Sequence, residues 1–83
     1  MMTPNAARAA RTAQSFSVFG IQGILRSVKS QLTSLDEYDA ALGDRGREAR
    51  DESRILLAQR LADCGLALEI RLASHPHEAD EAV

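Results

Sequence analysis

The sequence predicts an all-α protein: an antiparallel hairpin of two long helices, preceded by a short N-terminal segment. Three observations lead to this prediction. Apolar residues recur at intervals of three and four from Val18 to Leu35, a glycine-containing segment follows at 43–46, and an apolar-rich segment then continues without proline as far as His75. We expect helices at about residues 15–42 and 47–74, with the turn at 43–46 between them. At 83 residues the chain forms one small domain with a small core.

Residues 1–14 form a basic leader that is rich in alanine. Thr3 and Pro4 suit the N-cap and the first position of a short helix. Because alanine has little side chain to bury, we expect the leader to be mobile or only partly helical. Its two arginines interrupt the apolar run that a secretory signal requires, so we interpret it as the leader of a cytoplasmic protein.

The first long helix is predicted from a seam of apolar residues with the spacing of heptad a and d positions. Ser34 and Glu37 have the spacing of a capping box, which would restart the helix. The seam crosses Ser34 without a change of phase, so we expect one continuous helix. The seam consists of Val18, Ile21, Leu25, Val28, Leu32 and Leu35.

Phe16 and Phe19 lie just before the regular part of the seam, and two interpretations remain open. If the chain is helical there, both phenylalanines point away from the seam and share a face with Gly20 and Gly23, which would suit a partner. If the helix begins only near Gly20, they fold into the core of the hairpin itself. Both interpretations predict that Phe16 and Phe19 are covered.

The turn and the end of the second helix have local signals of their own. Gly43 suits a left-handed residue just past a helix end, and Asp44 suits the N-cap of the next helix. His75 precedes Pro76 and is therefore pushed out of helical geometry, which ends the helix. We expect the acidic tail, residues 75–83, to be solvated.

The second helix carries more apolar surface than one neighbouring helix can cover. Between Ile55 and Ala73, 13 of 19 residues are apolar. This excess predicts that a third element or another chain covers part of the helix. One stripe consists of Leu57, Leu61, Cys64, Leu68 and Leu72, and a second stripe beside it consists of Ile55, Ala58, Ala62, Leu66, Ile70 and Ala73. The candidate interface residues are Phe16, Phe19, Ile55, Leu57, Leu61, Leu66 and Ile70.

The sequence contains no arrangement typical of catalysis or of cofactor binding. Cys64 lies on an apolar stripe, which indicates core packing. His75 and His77 supply two imidazoles, fewer than the four ligands that a metal site generally needs. Acidic groups occur at 36–39 and 51–52, and the second group is surrounded by Arg47, Arg50 and Arg54, which indicates ordinary surface ion pairs. We therefore predict a non-enzymatic protein with no catalytic residue, no cofactor, no metal and no small-molecule substrate.

Charge is distributed unevenly along the chain. Residues 1–33 carry a formal charge of +4 and residues 34–83 a charge of −6. One interpretation is that opposite charges favour antiparallel pairing of the two helices. The alternative is contact with nucleic acid or an anionic membrane, but a few dispersed cations without aromatic platforms disfavour nucleic acid, and no apolar run is long enough for a membrane span. The cations concerned are Arg8, Arg11, Arg26 and Lys29.

These observations predict a protein-binding helical module, such as a chaperone, adaptor, inhibitor or assembly subunit. Its partner is another protein or a second copy of itself, so that association completes a bundle in a homo- or hetero-oligomer. The alternative is a homodimeric four-helix-bundle regulator that binds nucleic acid through its basic N-terminal third. In size and hairpin outline the chain is similar to the small helical co-chaperones of bacterial secretion systems and to plasmid-type hairpin regulators that dimerise. This resemblance is one of shape and not of motif.

Overall fold

Three long helices and one short helix make up the computed structural model, which describes residues 3–81 and the side chains of residues 3–79. No strand is present among these residues, so the all-helical prediction is confirmed. The two-helix description is incomplete, because a third long helix precedes the hairpin. The helices are α1 (Pro4–Ser15), α2 (Val18–Leu42), α3 (Arg47–Ser74) and α4 (Glu78–Glu81).

Side-chain caps define the N-terminal ends of the first two helices. The Thr3 hydroxyl accepts a hydrogen bond from the Ala6 N–H at 3.1 Å, as its position before Pro4 predicts. The Ser17 hydroxyl accepts one from the Gly20 N–H at 3.2 Å, so that α2 begins at Val18. These bonds satisfy amide groups that have no partner within the helix.

The helix α2 is continuous through Ser34, as the unbroken seam predicts. The Ser34 hydroxyl donates to the carbonyl oxygen of Ser30 at 3.1 Å. It is therefore occupied within the helix and does not cap a new one. Val18, Ile21 and Val28 of the seam are buried, and the remaining seam residues are half-buried.

Residues 4–15, expected to have little to bury, pack against α3. Ala9 and Ala13, one turn apart on α1, are buried in the same cluster as Ala67 of α3. Small side chains at such positions allow two helix backbones to approach closely. Arg8 forms an ion pair with Asp63 at 3.0 Å, which joins the same two helices. The alanines of α1 therefore form a buried contact with α3, which was not expected from their small side chains.

Glycine determines the turn between α2 and α3. Gly43, the C-cap of α2, has a φ of +58°, as predicted for a residue just past the helix end. The prediction that Asp44 is the N-cap of α3 is wrong. Gly46 holds that position with a φ of +70°, and the Asp44 carboxylate instead accepts a hydrogen bond from Arg47 at 2.9 Å.

The molecule is flattened, with extents of 46 × 34 × 14 Å. Its radius of gyration is 15.2 Å, whereas a compact domain of this length has a value of about 12 Å. Both α1 and α2 pack mainly against α3 rather than against each other. So thin a molecule leaves much of the helix surface uncovered. The fully buried apolar residues among those described are Ala9, Ala13, Val18, Ile21, Val28, Cys64 and Ala67.

Candidate functional site

One face of α3 remains open to solvent along most of its length. Ile55 is 60% exposed and Leu66 is 38% exposed, and the alanines between them are exposed as well. The exposed members of this face are Ile55, Ala58, Ala62, Leu66 and Ala73, which we name the uncovered stripe. It is the second stripe of the sequence prediction without Ile70, which is half-buried and packs against the core cluster.

Helix α1 does not cover this stripe because it contacts a different face of α3. The contacts of α1 involve Asp63, Ala67 and Arg71, which are spaced one turn apart. Each residue of a helix is rotated by about 100° from the previous one, so Ala62 and Leu66 point away from α1. The opposite flank of α3 therefore keeps its apolar surface free in the single chain.

The predicted interface residues fall into two groups. Leu57 and Leu61 are half-buried and share a stripe with Cys64 and Leu68, the stripe on the α2 side of α3. Ile55 and Leu66 are exposed, as are Phe16, the C-cap of α1, and Phe19, in the first turn of α2. Phe19 is 64% exposed. The interpretation that both phenylalanines fold into the core of the hairpin is therefore wrong, and their cover by a partner stays a prediction.

A shallow groove runs between α2 and α3 and has a volume of about 320 Å³. Leu25 and Leu68 form its apolar part, and the exposed Arg26 and Lys29 lie along its α2 edge. Ile24 packs against the cluster that contains the alanines of α1, and Arg26 and Lys29 lie on the opposite flank of α2. The groove therefore opens on the side of the hairpin away from α1, as the uncovered stripe does. Gln22 completes the lining.

The four cations proposed for anionic contact are therefore distributed over two places. Arg26 and Lys29 share the groove. Arg8 is held by Asp63 at 3.0 Å, and Arg11 lies exposed on α1. A single continuous basic patch formed by all four residues would need Arg8 to leave its ion pair.

Three large exposed apolar side chains lie near the turn, and none of them is among the predicted interface residues. Tyr38 and Leu42 lie in the last turns of α2, and Leu56 lies near the start of α3. Leu56 is 66% exposed. Leu56 belongs to neither predicted stripe. Only its large apolar side chain and its place in the apolar-rich segment could have indicated a role at an interface.

Arginines of α3 clamp the turn by reaching across to α2. Arg50 and Arg54 each contact the Asp39 carboxylate at 2.7 Å, and Arg50 also donates to the carbonyl oxygen of Gly43 at 2.5 Å and to that of Arg45. The hydrogen bond from Arg50 holds the pKa of Asp39 below its ordinary value. The interpretation of these charges as ordinary surface pairs is therefore wrong for Arg50, which is buried.

The acidic tail, expected to be solvated, folds back at Glu78. Glu78 is buried and pairs with Arg71 at 2.8 Å. The pKa of Glu78 is lowered, chiefly by the hydrogen bonds from Arg71. A partner far away in the sequence also holds the tail: Glu78 Oε1 accepts a hydrogen bond from the Val18 N–H at 3.3 Å.

The remaining reactive side chains are placed as structural groups. Cys64 is a buried free thiol, and burial raises its pKa, which disfavours the reactive thiolate. Among the side chains of residues 3–79, no three histidine, cysteine, aspartate or glutamate residues are grouped so as to hold a metal ion. Every buried polar side-chain atom in the described part of the chain has a hydrogen-bond partner.

Among residues 3–81, no helix has the length and apolar character needed to cross a membrane.

Comparison with known proteins finds no family model, no curated protein sequence and no solved structure that matches this chain significantly.

Proposed function

We propose that this chain is a small non-enzymatic helical module that binds another polypeptide, in the class of chaperones, adaptors, inhibitors and assembly subunits. Binding takes place on the open side of the hairpin, where the uncovered stripe and the groove lie. A helix docked there would complete a bundle with α2 and α3. We further propose that it acts in the cytoplasm, a reducing compartment in which a lone cysteine such as Cys64 persists as a free thiol.

The observation that carries this proposal is the exposure of the uncovered stripe. Ile55 and Leu66 are large apolar residues on a regular helix, separated by alanines, on a face that no other helix of the chain occupies. Large contiguous apolar surface on a small protein generally marks an interaction site. Burial of their side chains would contribute apolar free energy to an interface, and alanines between them allow close approach of a partner backbone.

A pair of aspartate substitutions tests the proposal. In the variant Ile55→Asp/Leu66→Asp, each new carboxylate is placed where a partner would exclude water, which costs several kcal/mol of binding. We expect loss of the partner when the tagged chain is used for capture from cells of its own source. Because both positions are exposed, the circular dichroism spectrum of the isolated chain should not change.

Ser53→Asp is the matched control, because Ser53 is an exposed polar residue on the opposite face of the same helix. It introduces a carboxylate into α3 without altering the apolar stripe. A partner that binds the wild type, the double variant and the control equally would contradict the proposal.

A nucleic-acid-binding homodimer is a second candidate, supported by the location of Arg26 and Lys29 on one groove. If it is correct, affinity for a labelled DNA or RNA duplex falls steeply with salt and decreases in Arg26→Ala/Lys29→Ala. Arg8→Ala should have little effect, because Arg8 is already paired with Asp63. Binding that does not depend on salt would contradict this candidate.

A further inference from the structure

We propose that the occupant of the open side is a second copy of this chain, docked antiparallel about a twofold axis that passes next to Leu32. The inference rests on the proposed function above, because it uses the same surface. It adds the identity and the orientation of the partner. The argument depends on the order of charges along α2 and on the register between α2 and α3.

The exposed charges of α2 change sign along the helix. Arg26 and Lys29 lie in its first half, and Asp36 and Glu37 lie in its second half. Arg26 and Glu37 are separated by about three helical turns, and Lys29 and Asp36 by about two, so each cation lies in line with one acid. Arg26, Lys29 and Glu37 form no ion pair with any side chain that the structure describes. Asp36 contacts Arg54 at 3.3 Å, but its side chain is 76% exposed and keeps room for a second cation.

This charge order is complementary to itself only when two copies run in opposite directions. An antiparallel copy places its Glu37 against Arg26 and its Asp36 against Lys29, and the twofold axis repeats both contacts. Both pairs of residues are centred next to Leu32, so a single axis satisfies them together. Copies docked with α2 running in the same direction would oppose like charges, which disfavours that arrangement.

The same axis also brings the apolar residues of α3 together. Asp39 bonds to Arg54, and Leu25 lines the groove with Leu68. This antiparallel register sets Leu32 level with Leu61. Ile55 and Leu66 are nearly equidistant from that level, so the axis that pairs the charges of α2 also sets Ile55 of one copy against Leu66 of the other.

The surface is thus complementary to itself in the exposed charges of α2 and in the large apolar residues of α3 about one axis. Since α1 lies on the other side of the hairpin, it does not obstruct the approach of the second copy. Docking would cover the uncovered stripe, which the single chain leaves exposed. The four long helices of the two hairpins would then form a bundle.

Charge reversal tests the inference by sedimentation of the full chain over a range of concentrations at low salt. We expect the wild type to dimerise, and Arg26→Glu and Glu37→Lys each to weaken dimerisation about tenfold, because each replaces two attractive contacts by two repulsive ones. An equimolar mixture of the two variants should recover the wild-type affinity, since each variant then faces its complement. Arg11→Glu, which changes the same charge on α1, should have no effect.

Two results would overturn the inference. A wild-type chain that stays monomeric at every concentration shows that no second copy occupies the surface. A dimer that is insensitive to Arg26→Glu and Glu37→Lys shows that any self-association has another geometry. The proposed function survives either result if Ile55→Asp/Leu66→Asp still abolishes capture of a different protein, and it fails separately if that capture is unaffected.

Discussion

Arg71 and Glu78 join the ends of three helices to the short helix α4. The Arg71 guanidinium donates from Nε to Glu78 Oε2 at 2.8 Å and from Nη2 to Oε1 at 3.1 Å, and its Nη1 donates to the carbonyl oxygen of Ala13 at 3.0 Å. Glu78 in turn accepts from the backbone of Val18. One ion pair thus contacts the end of α1, the start of α2 and the last turn of α3.

Glu78→Gln should therefore destabilise the whole fold. Glutamine keeps the shape of the side chain but loses the negative charge that faces the Arg71 guanidinium, and charge-assisted hydrogen bonds are the stronger kind. We expect a lower midpoint in urea unfolding followed by circular dichroism. Glu69→Gln is the control, because Glu69 is exposed and forms no ion pair among the described side chains. Equal midpoints for the two variants would show that Glu78 contributes no more than an ordinary surface acid.

The same pair predicts a loss of stability in mild acid. The pKa of Glu78 in the folded chain lies below its ordinary value of 4.5, mainly because Arg71 hydrogen-bonds to the ionised form. A group with a lowered folded pKa stabilises the fold above its unfolded pKa, and this contribution disappears as the pH falls through the folded pKa. The midpoint of unfolding should therefore decline below about pH 4.5 in the wild type. The decline should be smaller in Glu78→Gln, and identical profiles would contradict the assignment.

The C-terminal ends of α2 and α3 follow from the sequence because local signals determine them. Gly43 ends the first of these helices, the residue before Pro76 ends the second, and the apolar seam continues through Ser34. The predicted start of the first long helix at about residue 15 is wrong, because Ser17 caps α2 and the helix begins at Val18. The role of Glu78 did not follow from the sequence. Its partners Arg71 and Val18 are distant in sequence, and a single acid in a polar tail carries no periodic signal. A long-range polar contact of this kind becomes visible only when the helices are placed.

Arg50→Lys should loosen the turn between α2 and α3. The planar guanidinium of Arg50 reaches Asp39 and the carbonyl oxygens of Gly43 and Arg45 at once, and the single ammonium group of lysine cannot reproduce this fork. We expect faster hydrogen exchange at the amides next to the turn and a lower unfolding midpoint. Arg47→Lys is the control, because its pair with Asp44 is exposed. Unchanged exchange in Arg50→Lys would contradict the clamp.

The candidate surface was only partly predictable. The excess of apolar residues between Ile55 and Ala73 indicated correctly that α3 needs more than one neighbour. The sequence did not show which face of α3 would contact α1. Alanines lie on both faces, Ala67 on the one that α1 covers and Ala62 on the one left exposed. The choice depends on Asp63 and Arg71, which bind α1 and thereby leave Leu66 exposed.

Two glycines should respond to alanine in opposite directions. Gly43 has a φ of +58°, which strains any residue with a Cβ, so Gly43→Ala should destabilise the chain. Gly23 lies within α2 with open space around it, so Gly23→Ala should stabilise the chain by roughly 0.5–1 kcal/mol through lower chain entropy in the unfolded state. Chemical denaturation measures both. A stabilising Gly43→Ala would show that the turn has a different backbone conformation.

Ala67→Leu should separate α1 from α3. Ala67 is fully buried in the cluster that contains Ala9 and Ala13, so a larger side chain there cannot fit without moving the helices apart. Overpacking of this kind costs about 1–3 kcal/mol. Ala62→Leu adds the same atoms to the uncovered stripe, where the single chain leaves room. We expect a lower unfolding free energy and faster proteolysis of α1 in Ala67→Leu only, since the added side chain would also pull apart the polar contacts of α1 with Asp63 and Arg71. Equal stability of the two variants would mean that α1 does not depend on this contact.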